Sequence, residues 1–261
     1  MARAKAIIKE TDFPYVSCNW VDLRTGLRVL PAVKLFPAGG KWIAFVGITT
    51  PESFTKSTPA YFMNAKQTKY IYDILGGDDG RKLYDAVQKA IDKAKTLGAD
   101  IIIGLGHLGV DPSSSPWTSE EVIAHTHGFT AFIDGHSHTV MANKQVTDAS
   151  GKAVTLTQTG SYFKNIGKMT VGADGTITTE LIDTYEGLDA AVAATAPTGS
   201  AQWTICWARR SQWAIRSSTS TIPPPASAAS APARPTSATS WQTASTPTST
   251  RSRSSTVMSP L

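Results

Sequence analysis

Ile133-Asp134-Gly135-His136-Ser137-His138-Thr139 is the stretch on which the reading of this chain turns. A short apolar run stops at an acid and a glycine, then presents two imidazoles one residue apart. Upstream, Asp100-Ile101-Ile102-Ile103-Gly104-Leu105-Gly106-His107-Leu108-Gly109 repeats the arrangement with a single histidine. A strand whose carboxyl end opens into a Gly-His loop is where open α/β sheets place their ligands. Neutral imidazole is also the commonest metal ligand. His107, His136 and His138, three of the five histidines, therefore stand where a metal site would be built. Alternate residues of an extended chain point to opposite sides, so His136 and His138 reach one site only if the backbone has already turned. Gly135 before the pair permits such a turn. Two imidazoles on a turning loop suit two neighbouring metals better than one. His125 and His127 form another His-x-His, but in the polar segment Ala124-His125-Thr126-His127-Gly128, which reads as exposed rather than ligating.

Working outward, Leu83, Ala86, Val87, Ala90, Ile91, Ala94 and Leu97 follow the i, i+3, i+4 stripe of an amphipathic helix. Gly98 stops it. Trp42 to Ile48 is nearly continuous apolar sequence, as a strand covered on both faces would be. Strand Trp42–Ile48, helix Arg81–Leu97 and strand Asp100–Leu105 together predict a crossover α/β unit. Residues 13–20 read as a short strand after an X-Pro start, and 54–80 as irregular. A second, shorter helix starts at Ser119, capped by Thr118 or Ser119, and strand Ala131–Asp134 delivers the histidine pair. Val154–Gln158, Lys168–Val171 and Thr176–Ile182 read as three strands of an antiparallel meander. The fold class is mixed α/β.

Charge divides the chain sharply. After Gly199 there is no Asp, Glu, Lys or Gly, while six arginines and four of the seven tryptophans lie there. Residues 1–199 then hold 19 basic and 20 acidic side chains, so the net charge of +5 belongs to the tail. It gives no reason to make the body a nucleic-acid or anionic-membrane binder. The two cysteines, Cys18 and Cys206, sit in unlike settings and form no disulfide framework. No apolar run approaches the length of a membrane span, and Met1-Ala-Arg-Ala-Lys-Ala-Ile-Ile-Lys9 lacks the apolar core of a secretory signal.

Five motifs in order carry a family resemblance: Phe13-Pro14-Tyr15-Val16-Ser17-Cys18-Asn19, Val46-Gly47-Ile48-Thr49-Thr50-Pro51-Glu52, Gly106-His107-Leu108-Gly109, Asp134 to Thr139, and Gln158-Thr159-Gly160-Ser161-Tyr162. Together, over about residues 10–190, they resemble the second half of the catalytic domain of the bacterial 5′-nucleotidases and UDP-sugar hydrolases, calcineurin-like metallophosphoesterases. The resemblance implies a sandwich of mixed sheets flanked by helices, incomplete at its N-terminus. It implies a hydrolase acting on phosphate esters of a small nucleotide substrate, through two divalent ions such as zinc or manganese about 3.5–4 Å apart. By the family pattern His107 and His136 would ligate one ion and His138 the other. Asp134 would be structural or support the ligands, and Gly160 to Asn165 would form a loop near the site. A cyclic-nucleotide phosphodiesterase and a nucleotide-sugar pyrophosphatase remain open on the same scaffold, as does an inactive metal-binding remnant.

This sequence departs from the family where the Asp-x-His, Gly-Asp and Gly-Asn-His motifs should stand, because none is present. No catalytic residue is assigned for that reason, and no substrate-binding residue or oligomeric state is read. The missing strands would leave a sheet edge and an apolar face exposed. Family members are exported to the periplasm, cell wall or medium, whereas this chain as written would stay in the cytoplasm. The expected organisation is a partial catalytic domain over 1–195 and a disordered low-complexity tail over 196–261. Read from the third base of each codon, permitted codons for Ser218 to Thr246 encode Asp-Leu-Asn-Asp-Pro-Ala-Thr-Gly-Lys-Arg, then Gly-Ile-Arg-Thr-Gly-Glu-Thr-Asn-Leu-Gly-Asp-Leu-Val-Ala-Asp. This resembles the opening of the family's C-terminal domain, so the tail reads as its out-of-frame translation.

Overall fold

A computed structural model describes residues 2–172 and 174–184. Cys206, the four tail tryptophans and the whole 196–261 segment lie outside the described residues. In chain order the elements are α1 (Ala2–Glu10), β1 (Trp20–Asp22), β2 (Leu27–Arg28), β3 (Val33–Ala38) and β4 (Lys41–Thr49). Then follow α2 (Ser53–Lys56), a 3-10 turn at Pro59–Phe62, β5 (Tyr72–Ile74), α3 (Arg81–Thr96) and β6 (Ile101–His107). A second 3-10 turn (Pro112–Ser114) leads to α4 (Ser119–His125), β7 (Ala131–Asp134), β8 (Val140–Thr147), β9 (Ala153–Thr159), β10 (Ile166–Val171) and β11 (Ile177–Ile182).

The main sheet has the order β3-β4-β6-β7-β9-β8, with β4, β6, β7 and β9 parallel and the two edges antiparallel. The crossover unit read from the sequence is present: α3 joins β4 to its parallel neighbour β6. Asp100 fixes the start of that pairing, its N–H donating to Trp42 O (2.9 Å) and its Oδ2 accepting from Trp42 N (2.7 Å). The apolar stripe of α3, Leu83, Val87, Ala90, Ile91 and Ala94, packs with Ala44, Val46, Ile48, Ile102, Phe132 and Leu156 in one buried cluster. Positive φ at Gly98 ends the helix, and Gly98 N and Ala99 N cap the carbonyls of Lys95 and Ala94. Thr118, not Ser119, caps α4, in a reciprocal capping box with Glu121. Val122 and Ile123 turn inward, while His125 and His127 are exposed as expected.

Four expectations need correction. The strand expected over Asp100–Leu105 does not stop there, because β6 continues through Gly106 to His107. The glycines make room rather than end the strand. A Cβ on Gly104 would lie 2.4 Å from Phe132 Cδ2, and one on Gly106 2.6 Å from Phe132 Cε1. Residues 13–19 are not a strand. They follow the sheet through irregular bonds, Ser17 N to Pro31 O and Cys18 N to Gly47 O, and pairing starts only at Trp20. The segment 54–80 is not wholly irregular: β5 pairs with β1 in a three-stranded sheet β2-β1-β5, where Trp20, Phe62, Tyr72 and Ile74 form a second cluster. The meander is divided. β9 lies inside the main sheet between β7 and β8, a strand the reading missed, and only β10–β11 form a separate antiparallel pair.

One sheet face is covered by α3 and α4. By strand alternation, the other face carries Phe36, Ile43, Phe45, Leu105, Ile133 and, at its carboxyl end, His107. Phe36 and Leu105 are 40% and 42% exposed there, whereas Ile101, Ile103 and Ala131 on the same face are buried. No helix among the described residues is long and apolar enough to cross a membrane. Free Cys18 is fully buried, which pushes its thiol up to about 12.

Because the core allows Phe132 no space for a methyl at Gly104, Gly104→Ala should cost about 1–3 kcal/mol in urea unfolding. Combined with Phe132→Leu, it should cost less than the sum of the two single changes. Strict additivity would mean that the two positions do not share this contact.

Candidate metal centre

Three parallel strands end side by side, and their register decides which residues meet. Thr49 of β4 is level with His107 of β6, and Leu105 of β6 with Ile133 of β7. Residues 49–52, 107–109 and 134–138 therefore emerge at one edge of the sheet. His107 and His136 meet there edge to face, ring centroids 5.0 Å apart and planes at 66°. A Cβ on Gly135 would lie 3.2 Å from His107 Nδ1, so a side chain at 135 would press on the imidazole.

The loop turns, but not where the sequence reading placed the turn. His136 (φ 83°) and His138 (φ 56°) are themselves in the left-handed region. Such a conformation in a non-glycine residue is uncommon and persists only where the surroundings over-determine it. The surroundings here are Asp134, Ser137 and Gln158. Asp134 accepts from Leu108 N (2.9 Å), Gly109 N (3.0 Å) and Gln158 Nε2 (3.3 Å), tying the two histidine loops together. Gln158, 1% exposed, also accepts through Oε1 from Thr139 N (2.9 Å) and Ser137 Oγ (3.1 Å). Ser137 Oγ in turn accepts from Val110 N (3.2 Å). Asp134 thus bonds to the loops around the histidines and supports them.

Glu52 also reaches the site, although the sequence reading gave it no role. Its Oε2 lies 2.7 Å from His136 Nε2 and accepts from Ser114 Oγ at 2.7 Å, with Lys56 Nζ 3.7 Å from Oε1. The signal was its place just past the end of β4, a strand paired in parallel with β6.

Burial and the charge of neighbouring His136 push His107 below the usual imidazole range, favouring its neutral form. Burial pushes Asp134 above the usual carboxylate range, against the pull of the Leu108 N–H. For Glu52, burial raises the carboxyl, but hydrogen bonds from Ser114 and His136 outweigh it and the net direction is down. His107 and His138 are exposed and His136 half-buried. Imidazoles from two strand ends suit a borderline divalent ion. Among the described residues, however, no group of three or more His, Cys, Asp or Glu side chains is placed to hold one. The donors present fit part of one coordination shell and do not fit a two-ion site.

A mixed α/β sheet with histidines at adjacent strand ends is what the resemblance of the motifs led one to expect. The comparisons with known proteins agree. Human 5′-nucleotidase is 28% identical over 189 residues, 64% of this chain and 29% of that protein. Two solved structures from Thermus thermophilus share the fold. The sulfate thiohydrolase SoxB has a TM-score of 0.53 at 17% identity, over 70% of this chain and 30% of its own. A 5′-nucleotidase precursor has a TM-score of 0.52 at 20% identity, over 68% and 35%. No protein-family model matches the chain. The chain is thus similar to 5′-nucleotidases in sequence and fold, and it spans under a third of the length of the curated relative.

Since Gln158 satisfies Thr139 N and Ser137 Oγ and donates to Asp134, Gln158→Ala should lower the unfolding free energy by about 1–3 kcal/mol. It should also raise hydrogen exchange at the Thr139 amide. Unchanged exchange there would show that something else holds the loop.

Proposed function

We propose that this chain is part of an enzyme that hydrolyses phosphate monoesters of nucleotides with metal ions, and that alone it turns over little or nothing. The observation that carries this is the meeting of His107 and His136 at adjacent parallel strand ends, with His138 two residues on. His107 and His136 would supply donors to one ion and His138 a donor to a second. In a whole enzyme such ions would polarise a phosphoryl oxygen and activate a water, and the donors present here make up only part of that site. The chain's own residues hold the donors: Asp134 and Gln158 fix the loops, and neutral His107 keeps a lone pair available. Human 5′-nucleotidase supports a nucleotide as substrate. The impairment rests on the lack of a third converging donor among the described residues.

Zinc titration and phosphate release from AMP test this reading. The expected result is weak zinc binding that falls in His107→Ala and His136→Ala, with no phosphate released above a metal blank. Turnover that the same substitutions abolish would overturn the impairment. Zinc binding unaffected by either substitution would overturn the donor assignment.

On the same reading, residues 1–195 are the partial catalytic domain. Residues 196–261 are an out-of-frame translation of the C-terminal domain of an exported parent. The description of one relative as a precursor supports export. Reading the gene across codons 190–205 should reveal a base change that restores the frame. An undisturbed frame, with no coding sequence for that domain in the others, would overturn it.

A further inference from the structure

We propose that Glu52 is the positioning residue of His136, fixing the ring with its hydrogen on Nε2 and its lone pair on Nδ1. Glu52 is built into the fold rather than resting on its surface. It is 8% exposed, its N–H donates to Thr50 Oγ1 (3.2 Å), and its carbonyl accepts from Lys56 N (2.7 Å) and Thr55 N (2.9 Å). Its carboxylate has three neighbours, Ser114 Oγ and His136 Nε2 on Oε2 and Lys56 Nζ near Oε1, and all three are donors or cations. An ionised carboxylate only accepts hydrogen bonds. The hydrogen in the 2.7 Å contact therefore belongs to Nε2, and a neutral His136 has its free lone pair on Nδ1. A carboxylate behind a histidine sets its tautomer and aims the ring. The backbone makes this hold necessary. His136 is left-handed, at φ 83°, and its ring lies edge to face on His107, so an unheld side chain would be free to turn away. Ser114 completes the chain of contacts: it ends the turn at Pro112–Ser114, which the Asp111 side chain caps, and its hydroxyl donates to Glu52 Oε2.

The inference stands apart from the proposed function, and its test needs no metal. It uses the full chain, labelled with 15N and followed through long-range proton–nitrogen correlations of the imidazoles at mildly alkaline pH. The His136 signals are identified by their loss in His136→Gln. The expected result is a hydrogen on Nε2 that exchanges slowly and resonates downfield, as a hydrogen bond to a carboxylate requires. Glu52→Gln, which keeps the shape and an acceptor oxygen, should retain the Nε2–H form with a smaller downfield shift. Glu52→Ala should lose the slow exchange. A hydrogen on Nδ1 in the parent protein would overturn the proposal. So would an unchanged Nε2–H signal in folded Glu52→Ala.

Discussion

The parallel register of β4, β6 and β7 is the constraint on which the rest of the site depends. Pairing Thr49 with His107 and Leu105 with Ile133 brings three chain segments, far apart in sequence, to one edge within reach of one another. Parallel neighbours need a long crossover between them, and α3 supplies it for the first pair. The register itself is pinned at the other end, where Asp100 holds both the N–H and the carbonyl of Trp42. A slip of one residue would invert every side chain across the sheet. It would move Ala44, Val46 and Ile48 out of the core and turn His107 to the helix-covered side.

The elements with strong period or strong turn chemistry were legible. The stripe of α3, the crossover to β6, the Ala131–Asp134 strand and the Thr118 region as a cap all follow from local pattern. What the sequence hid were features whose cause is a distant neighbour. Gly104 and Gly106 look like a strand terminus until Phe132, on the next strand, is seen to fill the space above them. Strand β8 is exposed along most of its length and carries little apolar alternation, so it left no pattern to read. Gly135 was a natural choice for the turn because it lacks a Cβ. In the fold its lack of a Cβ instead spares His107, and the histidines take the left-handed conformation themselves.

That strain has a cost and a support. A left-handed residue with a Cβ costs about 1–2 kcal/mol, and two of them stand within three residues. The support is a buried polar network in which Gln158 and Asp134 each serve more than one partner. Such a network rigidifies only when every member is satisfied, and this one places its strongest acceptor under both histidine loops. The sequence reading gave Asp134 a supporting role and missed Gln158, because a glutamine at the end of a strand carries no periodic signature.

The histidine motifs carry a family resemblance more clearly than they mark a working site. Metal affinity rises with each converging donor, and a ligand held in place contributes more than one that must be ordered on binding. Here hydrogen bonds hold the histidine loops at the strand ends, yet the described residues bring together too few donors to form a metal site. The geometry of a half-site can therefore persist without its chemistry. Its stability comes from hydrogen bonds within the loops and from the sheet beneath them, and neither depends on the ion. The fold of this chain thus has supports of its own, unlike small domains where the metal itself holds the structure together.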